Sequence, residues 1–170
     1  MGERKEMRKQ KGFSLIELLI VVAIILIIAA IAIPNLLRSR MAANEASAVG
    51  SIRTLNTAEV TYSSAYTDVG FTTTLANLGP NANTCTGATG ATSTGACLID
   101  NVLGGGTKSG YTFKLAAGSG GATTPQYTFA VNANPVTPGT SGQRSFYSDQ
   151  TGVIRYNQTT AASSTDSPLQ

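Results

Sequence analysis

Apolar and polar positions divide this chain into stretches of different period. From Leu18 to Ile33 every residue is apolar, and counting back to Phe13 gives 21 residues interrupted only by Ser14 and Glu17. A run this uniform has no face, so its length carries the information. At helical rise it measures roughly 31 Å, close to the ~30 Å hydrocarbon core of a bilayer. After Pro34 the chain turns polar but stays rich in the helix formers Ala, Leu, Arg, Met and Glu as far as Tyr66. Met41, Ala48, Ile52, Leu55, Tyr62 and Tyr66 recur at separations of three, four or seven, as one face of an amphipathic helix requires. Arg38, Arg40, Asn44, Glu45, Ser51 and Arg53 fall mostly on its other faces. Pro34 has no N–H and clashes with the carbonyl four residues back, so the helix is expected to pass it with a kink or a local opening.

Beyond Thr67 the pattern weakens. Residues 67–109 read as loop, with a turn signal at Gly79-Pro80 and a low-complexity Thr, Gly and Ala stretch from Thr84 to Ala96. Period-two alternation then begins. Tyr111, Phe113 and Leu115 point one way while Thr112 and Lys114 point the other, and Tyr127 to Val131 repeats the alternation. Ser145 to Ser148 and Val153 to Tyr156 flank Asp149-Gln150-Thr151-Gly152, whose Asp-first, Gly-last order predicts a hairpin turn. Strands this short cannot bury an apolar face alone, and the amphipathic helix supplies the missing layer. The expected fold class is therefore α+β, a long N-terminal helical spine on an antiparallel sheet of roughly four strands. Residues 159–170 are expected to form a flexible tail. Asn157-Gln158-Thr159 fits a glycosylation sequon, a pattern short enough to arise by chance.

The 170 residues carry a net charge of +3. Arg4, Lys5, Arg8, Lys9 and Lys11 face only Glu3 and Glu6, whereas from Phe13 onward seven basic residues balance seven acidic ones. The excess is a property of a short leader, with no direct sign of nucleic-acid binding on the rest. A basic leader before an apolar helix stays cytoplasmic and sends the C-terminal portion across the membrane. Chemistry for catalysis is scarce. There is no histidine, Asp68, Asp100, Asp149 and Asp166 stand apart in turn-like contexts, and Gly104-Gly105-Gly106 lacks the Lys-Ser/Thr of a phosphate loop. Neither an enzyme nor a cofactor is indicated. Cys85 and Cys97 are the only cysteines. Outside the cytoplasm they are expected to form a disulfide worth about 3 kcal/mol, since two thiols without histidine make no metal site.

A secretory signal places its small-residue cleavage site after the apolar region. Here Gly12 precedes it, so cleavage would remove the leader and leave the helix. Gly12-Phe13-Ser14-Leu15-Ile16-Glu17 followed by LLIVVAIILIIAAIAIPN closely resembles the class III signal of type IV prepilins and type II secretion pseudopilins. The features in common are the basic leader, a Gly before an aromatic residue, a Glu four residues after it, the unbroken apolar run and Pro34 at its end. The resemblance covers residues 1–66, and more loosely GYTF and SGQRSFYSDQTGVIRY. It implies a leader at 1–12, an apolar half-helix for membrane and assembly at 13–36, an amphipathic half-helix at 37–66 and an extracytoplasmic domain at 67–170.

The resemblance further implies storage in the inner membrane, cleavage after Gly12 by a prepilin peptidase, N-methylation of Phe13, and polymerisation into a type IV pilus. The partners it implies are further copies of the chain, an assembly ATPase, an inner-membrane platform and an outer-membrane channel. It gives Phe13, Glu17 and Pro34 roles in assembly. An ionisable residue at the centre of a membrane helix costs ~2.5–3.5 kcal/mol, and less near its end. Glu17 is either an interfacial residue without a role or the partner of the amine that cleavage frees on Phe13, an attraction strengthened where water is excluded. A type II secretion pseudopilin shares the whole N-terminal argument, but the aromatic-Pro pair and acidic calcium loop of major pseudopilins are not evident. A monomeric periplasmic binding domain tethered by one helix needs neither Glu17 nor a cleavage point that spares the helix.

Overall fold

The computed structural model describes residues 12–80, 85, 90–118 and 121–169. The basic cluster Arg4 to Lys11, and residues 84 and 86–89 of the low-complexity stretch, lie outside the described residues. The first element is helix α1, Leu15–Ala65, which runs for 51 residues with Pro34 inside it. The expected continuation past the proline is found as an unbroken helix, although the Ala30 carbonyl has no N–H to receive at that turn.

The chain divides into two compact units, residues 1–38 and 39–170, and α1 contributes to both. In the first unit every large apolar side chain from Phe13 to Leu37 is exposed, from 82% for Phe13 down to 44% for Val22. This part of α1 is long and apolar enough to cross a membrane.

The second unit is α+β. After α1 come two single-turn helices, α2 (Leu75–Leu78) and α3 (Asn101–Gly104), then strands β1 (Thr107–Lys108), β2 (Tyr111–Ala117), β3 (Phe129–Pro135), β4 (Ser145–Asp149) and β5 (Arg155–Asn157). The strands form one antiparallel meander in chain order. Its register places Phe113 opposite Ala133, Ala133 opposite Phe146, and Phe146 opposite Tyr156. Alternation then turns Tyr111, Phe113, Phe129, Val131, Ala133 and Phe146 to one face, where they share a core with Ala48, Ile52, Leu55 and Tyr62 of α1. Ser109 and Gly110 both take positive φ, 50° and 73°, in the two-residue turn between β1 and β2, the geometry whose twist suits a hairpin.

Several sequence expectations are corrected. The sheet has five strands rather than about four, because the two-residue β1 is too short to show a pattern and lies within the expected loop. β3 runs from Phe129 to Pro135 instead of starting at Tyr127, which is 70% exposed. Asn132 and Asn134, poor strand formers in isolation, are carried by pairing, Asn132 with both neighbouring strands and Asn134 with β2. The loop is also packed: Ala96 and Leu98 donate to the carbonyls of Asn77 and Leu78 at 2.8 Å each, and Leu75, Leu78, Ile99 and Leu103 enter the core.

The expected flexible tail is tied down. The Ser163 N–H donates to Asp166 Oδ2 at 2.7 Å and Asn157 Nδ2 donates to Asp166 Oδ1 at 2.9 Å. Ala162 is buried with Ala130 and Tyr147 on the outer face of the sheet. The same contact engages the amide nitrogen of the sequon residue Asn157, whose Oδ1 accepts from the N–H groups of Thr159 and Thr160.

Candidate functional site

The sequence-predicted residues at the N-terminal end lie together. Gly12 and Phe13 precede the helix, and Glu17 sits in its first turn, which Leu18 N–H closes onto Ser14 C=O at 3.2 Å. All are exposed, and a methyl group added at Gly12 would meet nothing within 4 Å. Among the described residues no ion pair is formed by Glu17. With Gly12 still joined to Phe13 there is no amine at that position for it to meet. Pro34 stands seventeen residues beyond Glu17, roughly 26 Å along a helix axis. These residues therefore form a short polar motif at the head of a long exposed apolar cylinder, with Pro34 near the other end.

Sequence reasoning missed two acids in the second unit. Glu45 and Glu59 are buried at 8% and 0% exposure, as is Ser51, so the expectation that Glu45 and Ser51 occupy outer faces is corrected. The signal was present in the spacing. The apolar stripe skips seven residues twice, from Met41 to Ala48 and from Leu55 to Tyr62, and Glu45 and Glu59 complete the two gaps at separations of four and three. Both acids lie on the face that packs against the sheet.

Their environments differ in kind. Glu45 Oε1 accepts the Gln143 and Arg144 N–H groups at 2.8 and 3.1 Å, and its Oε2 accepts Arg144 Nε at 2.8 Å. The Arg144 guanidinium also lies over the rings of Phe146 and Tyr156, 5.6 and 5.5 Å from their centroids. Burial alone would raise the Glu45 carboxyl, but the Gln143 N–H, the Arg144 guanidinium and the Arg144 N–H outweigh it and hold the group below its ordinary value. Asn44 Nδ2 donates to Ser141 C=O at 2.8 Å and fastens the same loop to the helix. Glu59 has one partner. Its Oε2 accepts the Thr72 N–H at 3.0 Å, while Oε1 is buried without a hydrogen bond. Burial pushes its carboxyl up to about 8 against the weaker pull of the Thr72 N–H.

Cys85 and Cys97 are joined in a disulfide with Cα atoms 5.9 Å apart. The four aspartates singled out in the sequence do not converge. Asp100 caps α3 through the Leu103 N–H at 2.8 Å and pairs with Lys108 at 2.9 Å, and Asp149 accepts the Thr151 N–H at 2.9 Å in the β4–β5 turn. Asp68 is exposed, and Asp166 serves the segment after β5. Among the described residues no three His, Cys, Asp or Glu side chains gather as metal ligands would.

Comparison with known proteins falls on the N-terminal part. Residues 7–33 match the family model described as the prokaryotic N-terminal methylation motif. A stretch of 39 residues is 67% identical to the type IV wide pilus major component PilA4 of Thermus thermophilus, covering 23% of this chain and 30% of that protein. Residues 7–33 of this chain thus carry a prokaryotic N-terminal methylation motif. The matched region contains Gly12, Phe13 and Glu17, and with them most of the exposed cylinder. The chain spans about 30% of the length of the curated relative it matches, and no solved structure matches it.

Proposed function

We propose that this chain is the structural subunit of a type IV pilus. It is held in the inner membrane as a prepilin, cut after Gly12, methylated on the new Phe13 amine and polymerised through residues 13–36. The observation that carries this reading is the apolar cylinder: a methylation motif heads a helix whose large apolar side chains are all exposed from Phe13 to Leu37. So continuous an apolar surface is stable only in lipid or against other apolar helices, and cleavage after Gly12 leaves it on the mature chain. Glu17 then pairs with the Phe13 amine of its own or a neighbouring copy and sets the axial register. Pro34 marks the turn that opens when the helix leaves lipid. The prepilin peptidase, the assembly ATPase and its platform, and the outer-membrane channel are the partners this route needs. The chain's role is structural rather than catalytic.

We prefer a pilus subunit to a secretion pseudopilin because the relative is named as a pilus component. The test is electron microscopy of filaments sheared from the cell surface, with mass spectrometry of their subunits. Filaments built of chains beginning at methylated Phe13 support the proposal. Chains processed at Gly12 but confined to the membrane fraction would support the pseudopilin, and uncleaved membrane monomers the tethered domain.

A further inference from the structure

On the outer face of the sheet the second unit holds a cavity of about 250 Å³. Asn134 near the end of β3 and Ser145 at the start of β4 line it. Each adjoins a core residue, Ala133 or Phe146, so alternation turns both outward. Two walls rise beside them. One, with Pro135, Pro138 and Gln143, belongs to the loop that Glu45 holds through the Gln143 N–H at 2.8 Å and that Gly139 N–H closes onto Gly142 C=O at 2.9 Å. The other carries Gln158, next to Asn157, whose Oδ1 accepts the Thr159 and Thr160 N–H groups at 2.9 and 3.2 Å. Bonds within the chain fix both walls, so the cavity is formed before any ligand enters.

The lining carries polar groups that the fold does not use. Asn134 Oδ1 is buried without a hydrogen bond, although buried polar atoms are nearly always paired. Ser145 is 8% exposed, and among the described residues its hydroxyl makes no hydrogen bond. With no partner to fix it, the Asn134 amide can turn about its last torsion and offer a ligand either an acceptor or donors. No Asp, Glu, Lys or Arg is among the described residues that line the cavity.

These features select the ligand. An apolar molecule would strip water from the amides and hydroxyls and leave them unpaired. A phosphate or carboxylate would find no cation, and an ammonium group no anion. The volume lies below the roughly 300 Å³ at which sites for drug-sized molecules begin. A single neutral ring with hydroxyls on several sides meets all three limits. We propose that this cavity binds one unit of a neutral saccharide, its hydroxyls bonded by Asn134, Ser145, Gln143 and Gln158 and its C–H face against Pro135 and Pro138. The site is complete within one chain, so it stands or falls independently of filament assembly.

The test titrates the full chain, in dodecylphosphocholine micelles that carry no sugar headgroup, with glucose, galactose, mannose and N-acetylglucosamine. Titration runs to about 50 mM, above the millimolar Kd expected of so small a ligand. Amide NMR shifts at Asn134 and Ser145 read binding, while near-ultraviolet circular dichroism and urea unfolding read the fold. At least one of the four sugars should give saturable shifts at both residues, and glucuronate and glucose 6-phosphate should bind no more tightly. Asn134→Leu and Ser145→Val should each weaken binding roughly tenfold or more. Each removes a polar group that the fold leaves unpaired, so the urea midpoint should stay equal or rise. The absence of a saturable shift with all four sugars would overturn the proposal, as would tighter binding of the charged sugars or binding that survives both substitutions. A urea midpoint lowered by both would also overturn it, since the two side chains would then serve the fold. If Asn134→Leu does not fold, Ser145→Val decides by the same readings.

Discussion

Glu59 makes the stability of the second unit depend on pH across the neutral range, with a sign that follows from its surroundings. The folded chain keeps the Glu59 proton up to about 8, whereas the unfolded chain releases it near the ordinary glutamate value of 4.5. Raising the pH between these limits therefore favours the unfolded state. The contribution is fully present below about 4.5, is lost as pH rises toward about 8, and changes no further above that. One proton per chain gives a slope of at most about 1.4 kcal/mol per pH unit, so the loss from pH 5 to 8 is on the order of 4 kcal/mol. Few other groups contribute there. The chain has no histidine; Glu45, Asp100 and Asp166 are shifted down, and Tyr62, Tyr111 and Tyr147 up, away from the window. Thermal unfolding of the full chain in detergent, followed by near-ultraviolet dichroism of its tyrosines, should show the midpoint falling by roughly 10–15 °C from pH 5 to 8. Glu59→Gln keeps an oxygen for the Thr72 N–H and cannot ionise. It should match the parent at pH 5 within about 1 kcal/mol and exceed it by several at pH 8. A parent midpoint flat between pH 5 and 8, or a Glu59→Gln curve with the parent's slope, would refute the reasoning.

Four further outcomes follow from the same structure. Glu45→Ala strands the Gln143 and Arg144 N–H groups and the guanidinium, and should cost about 2–4 kcal/mol in urea unfolding at pH 7; Glu45→Gln, which keeps an acceptor, should cost less. Gly70→Ala places a Cβ 2.1 Å from the Gln126 carbonyl oxygen at a φ of +75°, and should lower stability by roughly 2–4 kcal/mol in the same assay. Replacing Cys85 and Cys97 together by Ser should cost about 3 kcal/mol, with an unchanged urea midpoint arguing against the loop-closure account. Glu17→Leu should leave membrane insertion intact and remove surface filaments, counted by electron microscopy; filaments of normal length and number would count against a pairing role.

What was legible in the sequence follows from how many residues cooperate in each signal. The apolar run and the Gly12-Phe13 boundary need no tertiary contact to be recognised, and neither does the alternation of Tyr111, Phe113 and Leu115. Each repeats over many positions, and the α+β class follows from them. The packed stretches 75–78 and 96–103 were not legible, because their order comes from single-turn helices and backbone bonds to Asn77 and Leu78. The order of residues 159–169 was hidden for a related reason. Their composition, mostly Ser, Thr and Ala, is that of a loose end, and the order comes from bonds to a strand edge that exists only once the sheet has formed.

The buried acids show where hydropathy reading stops and geometry begins. By residue type Glu45 and Glu59 belong on a wet face, yet their positions assign both to the core stripe, and position prevailed because a helix cannot turn one residue outward without turning its neighbours. Burial then posed the same problem twice. At Glu45 the sequence supplies Arg144 and two N–H groups, and the acid stays charged as a tie between the helix and the loop before β4. At Glu59 a single N–H is supplied, and the proton is retained instead. One stripe thus carries two acids of opposite pH response: Glu45 weakens the unit as pH falls through its lowered value, and Glu59 weakens it as pH rises toward about 8. The unit is therefore most stable near the ordinary glutamate value of 4.5, because above it Glu59 costs stability and below it Glu45 does.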